Sequence, residues 1–413
     1  MDTDIAIIGG GIAGLAVGIA LLQLGYKNVA VYERDETISA RRQGYGLTIL
    51  QGITALRKLG VLEEAYKQDT PSRAHYIFGK DGKMISFFGT IFWMKKAELP
   101  SKKRALHLQR QELRQLLLTR YISLHPLKED GIRWNHRISE IKANQISFHN
   151  GLISQVDLVI GADGINGSCR AFKYPIDKPL SYLGIIVVLG ITGCNHFLTK
   201  NRVFQTMDGS LRFFIMPFSK TNPQQSVMWQ LSFPLDLPKA SEFAKDSAAL
   251  KSFLIGHCSD WHAPIPEMIE STETSLLMGL PAYDRDLNIL PESNEFKIVL
   301  LGDAAHPMSP FKGQGANQAL IDAVEFADSL HNSSNLKEAV KQYEQKMIKR
   351  AQIKVMQSRE RVISFHQPEA LEKEDSDKVL MQKLNSQGLN AFYNEEAKGE
   401  PIEAAISRIM HET

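Results

Sequence analysis

Ile5–Ile8 (IAII) is an unbroken apolar run of four residues, as a strand buried on both faces of a sheet requires. Behind it, Ile12 to Leu24 fits a helix closed by Gly25, and Asn28 to Glu33 (NVAVYE) forms a second short run. Strand, helix and strand in that order predict a βαβ unit, and so a doubly wound parallel sheet. Gln51 to Leu59 reads as a helix stopped by Gly60 in the C′ position. Gln111 to Ile122 reads as another, with apolar residues at 113, 116, 117 and 118. Ile132 to Val156 alternates as strands do, with Asn150-Gly151 as a hairpin turn, and Asp157 to Ile160 is again a buried strand.

From about 178 to 275 the texture changes to longer alternating strands, such as 211–218 (LRFFIMPF) and 226–233 (SVMWQLSF). The buried-strand pattern resumes at Lys297 to Leu301, and a long helix is predicted from about Leu336 to His366, with apolar residues at 336, 340, 343, 347, 351 and 355. The expected fold class is α/β. A discontinuous doubly wound domain takes 1–75, 100–177 and 276–335. An inserted, mostly antiparallel β-sheet domain takes 76–99 and 178–275, and a C-terminal helical region takes 336–413. The basic residues of the long helix read as a solvated face, and the tail after Pro368 carries no assigned role beyond packing.

Composition narrows the function rather than the fold. With 413 residues the chain has room for two or three domains, and its formal net charge of +2 points to neither nucleic acid nor an anionic membrane. Cys169, Cys194 and Cys258 are too scattered for a zinc ribbon, a CxxC pair or a disulfide framework, and fit a reducing cytoplasm. The N-terminus is acidic where a secretion signal would be basic, and the apolar segment Leu183 to Ile191 is too short to span a bilayer. The expectation is a soluble, cytoplasmic protein with no membrane span and no nucleic-acid partner. No residue cluster has metal-ligand spacing, so no metal is expected.

Three motifs carry chemistry. Gly9-Gly10-Gly11-Ile12-Ala13-Gly14 matches G-x-G-x-x-G between the first strand and its helix, with Glu33 at the end of the next strand. Gly9 allows the tight turn, Gly11 lets backbone approach a pyrophosphate, and Gly14 lets helix and strand pack closely. A carboxylate at Glu33 accepts hydrogen bonds from ribose hydroxyls, with Arg34 beside it. The second motif is Gly302-Asp303-Ala304-Ala305-His306, continuing through Pro310 to Gly313-Gln314-Gly315-Ala316-Asn317. An aspartate there accepts from a polyol chain, and a glycine-rich loop before a helix N-terminus approaches a flat ring and stabilises negative charge on it. Gly161-Ala162-Asp163-Gly164, with Arg170 beyond, is the third. Arg110 opens the helix QELRQLLL, and Arg41-Arg42 precede Gly44 and Gly46. His306 reads as a structural histidine beside the loop.

These pieces, in this order, resemble the single-component FAD monooxygenases of the para-hydroxybenzoate hydroxylase class over about 340 residues. The resemblance implies FAD, bound non-covalently, with NAD(P)H as a transient co-substrate and molecular oxygen as oxidant. Oxygen would pass to an organic substrate through a flavin C4a-hydroperoxide. The implied cofactor contacts are Gly9, Gly11, Ala13, Gly14, Glu33 and Arg34 for the ADP half, and Gly302 and Asp303 for the ribityl chain. Arg110, Arg42 and Asp163 are implied near the cofactor, and Pro310, Gly313, Gly315, Ala316 and Asn317 beside its ring. The family pattern Asp-Gly-x-x-Ser-x-x-Arg is broken here, because Gly167 stands in the serine place. No side chain is assigned as catalytic. An FAD-dependent reductase or oxidase that transfers no oxygen, and a looser likeness to tetracycline-inactivating monooxygenases, are the competing readings.

Parity along the strands supplies the substrate expectation. Arg212, Phe214, Met216 and Phe218 share one face, as do Met228, Gln230 and Ser232, while Val227, Trp229, Leu231 and Phe233 share the opposite one. The mixed faces, with Phe214, Met216, Met228 and Gln230, are expected toward the flavin and the wholly apolar face in the domain core. Aromatic or polycyclic substrates are the leading expectation.

Overall fold

The computed structural model describes residues 3–40, 45–72, 74–92, 105–142, 144–177, 179–287 and 297–371, and in the C-terminal part 384–386, 392, 394, 396–399 and 401–411. Two compact units divide the chain. One comprises Met1–Asp69, Arg110–Ser181 and Tyr283–Glu360, and the other Thr70–Gln109, Tyr182–Ala282 and Arg361–Thr413.

The first unit is built on a five-stranded sheet ordered Ile298–Leu300, Leu158–Gly161, Ile5–Ile8, Val29–Tyr32 and Ile132–Arg133. Every pairing is parallel, with Ile5 opposite both Leu158 and Val29. Ile5, Ala6, Ile7 and Ile8 are all buried, which is why this strand carries no polar residue. The helix Ile12–Gln23 is buried over most of its length, and Gly18 lets the Tyr121 ring pack where a Cβ would collide. Ile132–Arg133 belongs to the parallel sheet, whereas Ile138–Lys142, Gln145–Phe148 and Ile153–Gln155 form a separate antiparallel sheet. Sequence alternation merges the two, because a two-residue strand is too short to show a period. Gly151, at φ +86°, makes the hairpin turn.

The second unit is a seven-stranded mixed sheet ordered Leu277–Asp284, Ser181–Thr192, Val227–Pro234, Arg212–Pro217, Arg202–Met207, Ala74–Gly79 and Met84–Phe88. Only Arg202–Met207 and Ala74–Gly79 pair in parallel among the registered pairs of this sheet. Its main core gathers Trp229, Leu231 and Phe233 with Phe213, Ile215, Phe204, Tyr76 and Phe78.

The expected third region, 336–413, does not stand by itself. The helix Leu336–Phe365 contributes its stretch through Glu360 to the first unit, burying Ala339, Val340, Tyr343, Met347, Ala351 and Val355 there. The segment from Arg361 belongs to the second unit, whose core takes Leu384, Phe392, Ile402 and Ile406. Among the described residues of the C-terminal part, the buried apolar ones belong to the cores of these two units. The helix's basic face is also not wholly solvated. Arg350 bonds Asp322 and Glu325 at 2.8 Å each, and Arg359 grips both oxygens of Asp284 at 2.8 and 2.6 Å. Among the described residues, no helix is long and apolar enough to cross a membrane.

Candidate functional site

The glycines of the first motif divide into two kinds. Gly9 adopts φ +111°, and a Cβ there would run into the carbonyl of Ala162; one at Gly14 would strike the carbonyl oxygen of Gly9. Both are demanded by the protein's own packing. A Cβ at Gly11 would meet nothing within 4 Å, so this glycine leaves a cradle beside the helix start. The helix Ile12–Gln23 has no side-chain cap and no acidic residue in its first turn. Its free N–H groups and positive dipole end suit a pyrophosphate.

Glu33 is buried, 6% exposed, directly beneath this turn. Its Oε2 accepts from Gly10 N–H at 2.8 Å, and Oε1 accepts from Asp35 N–H at 3.0 Å. Oε1, with this single donor, retains acceptor capacity for a ribose hydroxyl. Sequence reasoning missed the residue that holds it. Arg114 donates to the Gly10 carbonyl at 2.8 Å, to the Ile38 carbonyl at 3.1 Å and to Glu33 at 3.4 Å. The signal was available: Arg114 lies on the stripe of Leu117, Leu118 and Tyr121, where a helix buries its apolar face. Arg34 points to the surface, and Arg42 lies outside the described residues.

In the second motif, Gly302 at φ +59° opens a tight turn that presents Asp303. The Asp303 carboxylate reaches solvent and has no hydrogen bond or ion pair among the described residues. Protein nevertheless crowds it closely enough that desolvation raises its pKa, opposed by the charges of His306 and Arg110. An unpartnered, accessible carboxylate in crowded surroundings is a ready acceptor for a polyol. The Arg110 guanidinium lies 5.6 Å from the Tyr45 ring centroid, and Arg110 N–H donates to the Tyr45 carbonyl at 3.0 Å. Burial pushes the Tyr45 phenol up, Arg110 lowers it and Asp303 raises it again, so the three share one electrostatic neighbourhood. Tyr45 is a second omission of the sequence reading.

Pro310 begins a 3-10 turn that Gly313 ends in the left-handed region, and Gly315 opens the helix Gly315–Asn332. This helix also lacks a side-chain cap and acidic residues in its first turn. A Cβ at Gly315 would lie 3.7 Å from Asp303 Oδ1, which places the helix start and the carboxylate together. Ala316 is half-buried there. The Asn317 side chain fixes the loop. Its Oδ1 accepts from Leu50 and Gly52 N–H at 2.9 Å each, and its Nδ2 donates to the Thr48 and Gly313 carbonyls at 2.9 and 2.8 Å. All four of its hydrogen-bonding positions are spent on fixing the loop.

The third motif explains its own irregularity. Asp163 Oδ2 accepts from Cys169 N–H at 2.9 Å, and a Cβ at residue 167 would collide with the Asp163 carboxylate. Glycine in the serine place is therefore the companion of this aspartate's orientation. Asp163 Oδ1 is buried without a partner among the described residues, and desolvation raises its pKa. Arg170 grips Asp177 at 2.6 and 3.4 Å and donates to the Ala304 and Ala305 carbonyls at 3.4 and 3.0 Å, tying this motif to the second.

The uncapped helix starts, the cradle at Gly11, and the Asp303 carboxylate and Asp163 oxygen, both without a partner among the described residues, fit a long dinucleotide with a polyol link. Among the described residues, no group of three or more His, Cys, Asp or Glu could hold a metal ion.

In the second unit, register aligns Leu189, Gln230, Phe214 and Gln205 across four strands, with Ser232 opposite Arg212 one row away. Met216 and Met228 are fully enclosed in a small cluster with Ile191, Val203 and Phe218, while Phe214 is half-buried. Gln230 is 7% exposed, and its amide nitrogen has no partner among the described residues. Arg212 donates to Gln205 Oε1 at 2.8 Å and stacks over Phe365 and Phe214, at 4.5 and 5.2 Å from the ring centroids. Desolvation, then the Arg361 charge, pulls its pKa down to about 9. The wholly apolar face is the core face, where Trp229 Nε1 donates to Thr272 Oγ1 at 2.9 Å.

Fold and site together define a flavin-dependent oxidoreductase. Comparison with known proteins makes the class specific. The family described as FAD dependent oxidoreductase matches residues 4–90, and the one described as FAD binding domain matches residues 291–359. A curated relative, phenazine 1,6-dicarboxylic acid hydroxylase PhzS of Lysobacter antibioticus, is 28% identical over 368 residues, 83% of this chain and 86% of that protein. Among solved structures, Klebsiella pneumoniae HpxO complexed with FAD and uric acid is 21% identical, with a TM-score of 0.73 over 98% of this chain and 95% of that one. The tetracycline destructase Tet(55) is 17% identical, with a TM-score of 0.67 over 95% and 96%. These two show the fold. The chain is an FAD-dependent monooxygenase, and FAD is its cofactor.

Proposed function

We propose that the protein inserts one atom of molecular oxygen into an aromatic or polycyclic substrate at the expense of NAD(P)H. Bound FAD supplies the redox chemistry, accepting hydride and activating oxygen. The glycine turn and the helix start at Ile12 hold the pyrophosphate, Glu33 the ribose and Asp303 the ribityl chain. The helix start at Gly315 stabilises negative charge on the reduced ring. Tyr45 and Arg110 complete the neighbourhood of Asp303.

The observation that carries the substrate class is the mixed face of the seven-stranded sheet. It is apolar along the half-buried Leu189 and Phe214, which pack on the buried Met216 and Met228, with the Gln230 amide and the Arg212 guanidinium as directing groups. Apolar contact supplies affinity for a flat ring, and two polar groups fix its orientation. A densely hydroxylated substrate would leave many of its groups unmatched on such a face. PhzS is named for an aromatic dicarboxylic acid, and the HpxO complex holds uric acid; aromatic acids are accordingly the first compounds to test. The test is a screen for compounds that stimulate NAD(P)H oxidation, followed by product mass in labelled oxygen gas. One labelled oxygen per product is expected; stimulated oxidation that yields only peroxide, with every substrate left unlabelled, would refute the proposal.

A further inference from the structure

Behind Asp303 lies a buried charge network that the cofactor reading does not use. Asp322 Oδ2 accepts two hydrogen bonds, from Gly302 N–H at 2.9 Å and from His306 Nε2–H at 2.6 Å. One carboxylate oxygen thus fastens both ends of the turn 302–306 that presents Asp303. The turn is closed internally by the Ala305 and His306 N–H groups, both donating to the Gly302 carbonyl at 2.9 Å. Arg350 holds the other Asp322 oxygen at 2.8 Å, and Arg170 holds the Ala304 and Ala305 carbonyls. His306 and Asp322 have no exposed surface at all.

We propose that Asp322 and His306 are positioning residues for Asp303, with Asp322 setting the turn and a protonated His306 keeping Asp303 as the carboxylate that FAD requires. The inference rests on the assignment of Asp303 to the FAD site.

The surrounding charges support this division of labour. Asp303 and Asp322 face His306, as does the Arg350 cation, which Glu325 also binds; Arg110 acts on Asp303 from its other side. That gives three acids, Asp303, Asp322 and Glu325, and three cations, Arg110, Arg350 and protonated His306. Losing the His306 proton leaves an uncompensated negative charge in a desolvated place. Burial acts to lower the His306 pKa, but the charge and hydrogen bond of Asp322 and the charge of Asp303 outweigh it and raise it. Nε2–H is committed to Asp322, so the proton is exchanged at Nδ1, which has no partner among the described residues.

The test measures FAD affinity of the flavin-stripped full-length protein by fluorescence from acid to neutral pH. Wild type should lose affinity on acidification as Asp303 protonates, and Asp303→Asn should lack that acid limb. His306→Gln keeps a donor for Asp322 but no charge, so the Asp303 carboxyl rises and the acid limb should move to higher pH, with affinity at pH 8 within about twofold of wild type. A purely structural histidine would instead lower affinity equally at every pH, and that result, or an unmoved limb, overturns the proposal for His306. Asp322→Asn should cost roughly tenfold or more in affinity even at pH 8, because it removes a charged acceptor from two buried donors. Full affinity in that variant overturns its positioning role; if it fails to fold, the His306→Gln profile still decides. Failure of the wild type to bind FAD, or an intact acid limb in Asp303→Asn, strikes the assignment of Asp303 itself.

Discussion

At the scale of single residues, position in a strand told more than residue type. Glu33 and Asp303 were singled out because each follows closely on a buried strand, Val29–Tyr32 and Ile298–Leu300, where a carboxylate stands out against its apolar surroundings. Arg114 was not legible as a site residue, since an arginine inside a helix reads as a surface charge until its place on the buried stripe is noticed. Its side chain and that of Glu33 are both buried, so the pair lies deep enough for its loss to be costly. Arg114→Met should leave Glu33 as an uncompensated buried charge and free the Gly10 and Ile38 carbonyls, destabilising the fold by about 3–5 kcal/mol. Chemical denaturation of the full-length chain measures this, and a loss below about 1 kcal/mol would show that the pair is not what secures the turn. Gly167 teaches a related lesson. It looked like a departure from a pattern, yet the Asp163 carboxylate occupies the space a side chain would need.

Among the elements, the strands and helices with strong periods were read nearly to the residue. The helix expected from about Leu336 to His366 runs Leu336–Phe365, and the first strand is unchanged. What periodicity could not supply was partnership. Nothing in IR at 132–133 says that it pairs beside Tyr32 in the parallel sheet, and nothing in Arg202–Met207 says that it pairs in parallel with Ala74–Gly79. Those pairings are set by which apolar faces remain uncovered once the rest has packed. The glycine turn is the element where local and ligand demands can be separated by experiment. Gly14→Ala drives a methyl into the Gly9 carbonyl and should lower stability together with FAD content. Gly11 has φ −82° and an empty Cβ position, so Gly11→Ala should fold with stability within about 0.5 kcal/mol of wild type while FAD affinity falls. Melting temperature and flavin fluorescence, read on both variants, check the contrast; Gly11→Ala with unimpaired FAD binding would mean that no phosphate occupies the cradle.

For the molecule as a whole, three regions were expected from the sequence, and the chain clusters into two compact units, with the segment from Arg361 in the second. Its buried residues Leu384, Phe392, Ile402 and Ile406 all join the core of the second unit, Ile402 and Ile406 one turn apart on the helix Ile402–His411. A buried ion cluster fixes them there. Arg202 reaches Glu403 at 2.7 and 2.8 Å and Glu396 at 3.1 and 3.2 Å, and Tyr76 donates to Glu403 at 2.7 Å. Burial acts to raise the Glu403 carboxyl, but the hydrogen bond and charge of Arg202 prevail and hold it below its usual value of 4.5. A carboxyl depressed in the folded state contributes stability that is complete above its unfolded value and lost as pH falls through the folded one. The second unit should therefore weaken below about pH 4.5, as Glu403 takes up its proton and releases Arg202. Glu403→Gln keeps the shape and the tyrosine contact while abolishing this titration, so its stability should be lower at pH 7 and vary less between pH 7 and pH 4. Denaturation midpoints of both proteins at the two pH values decide the matter. Parallel losses on acidification would remove Glu403 from the account, and equal stability at pH 7 would show that the tail is held by its four apolar side chains alone.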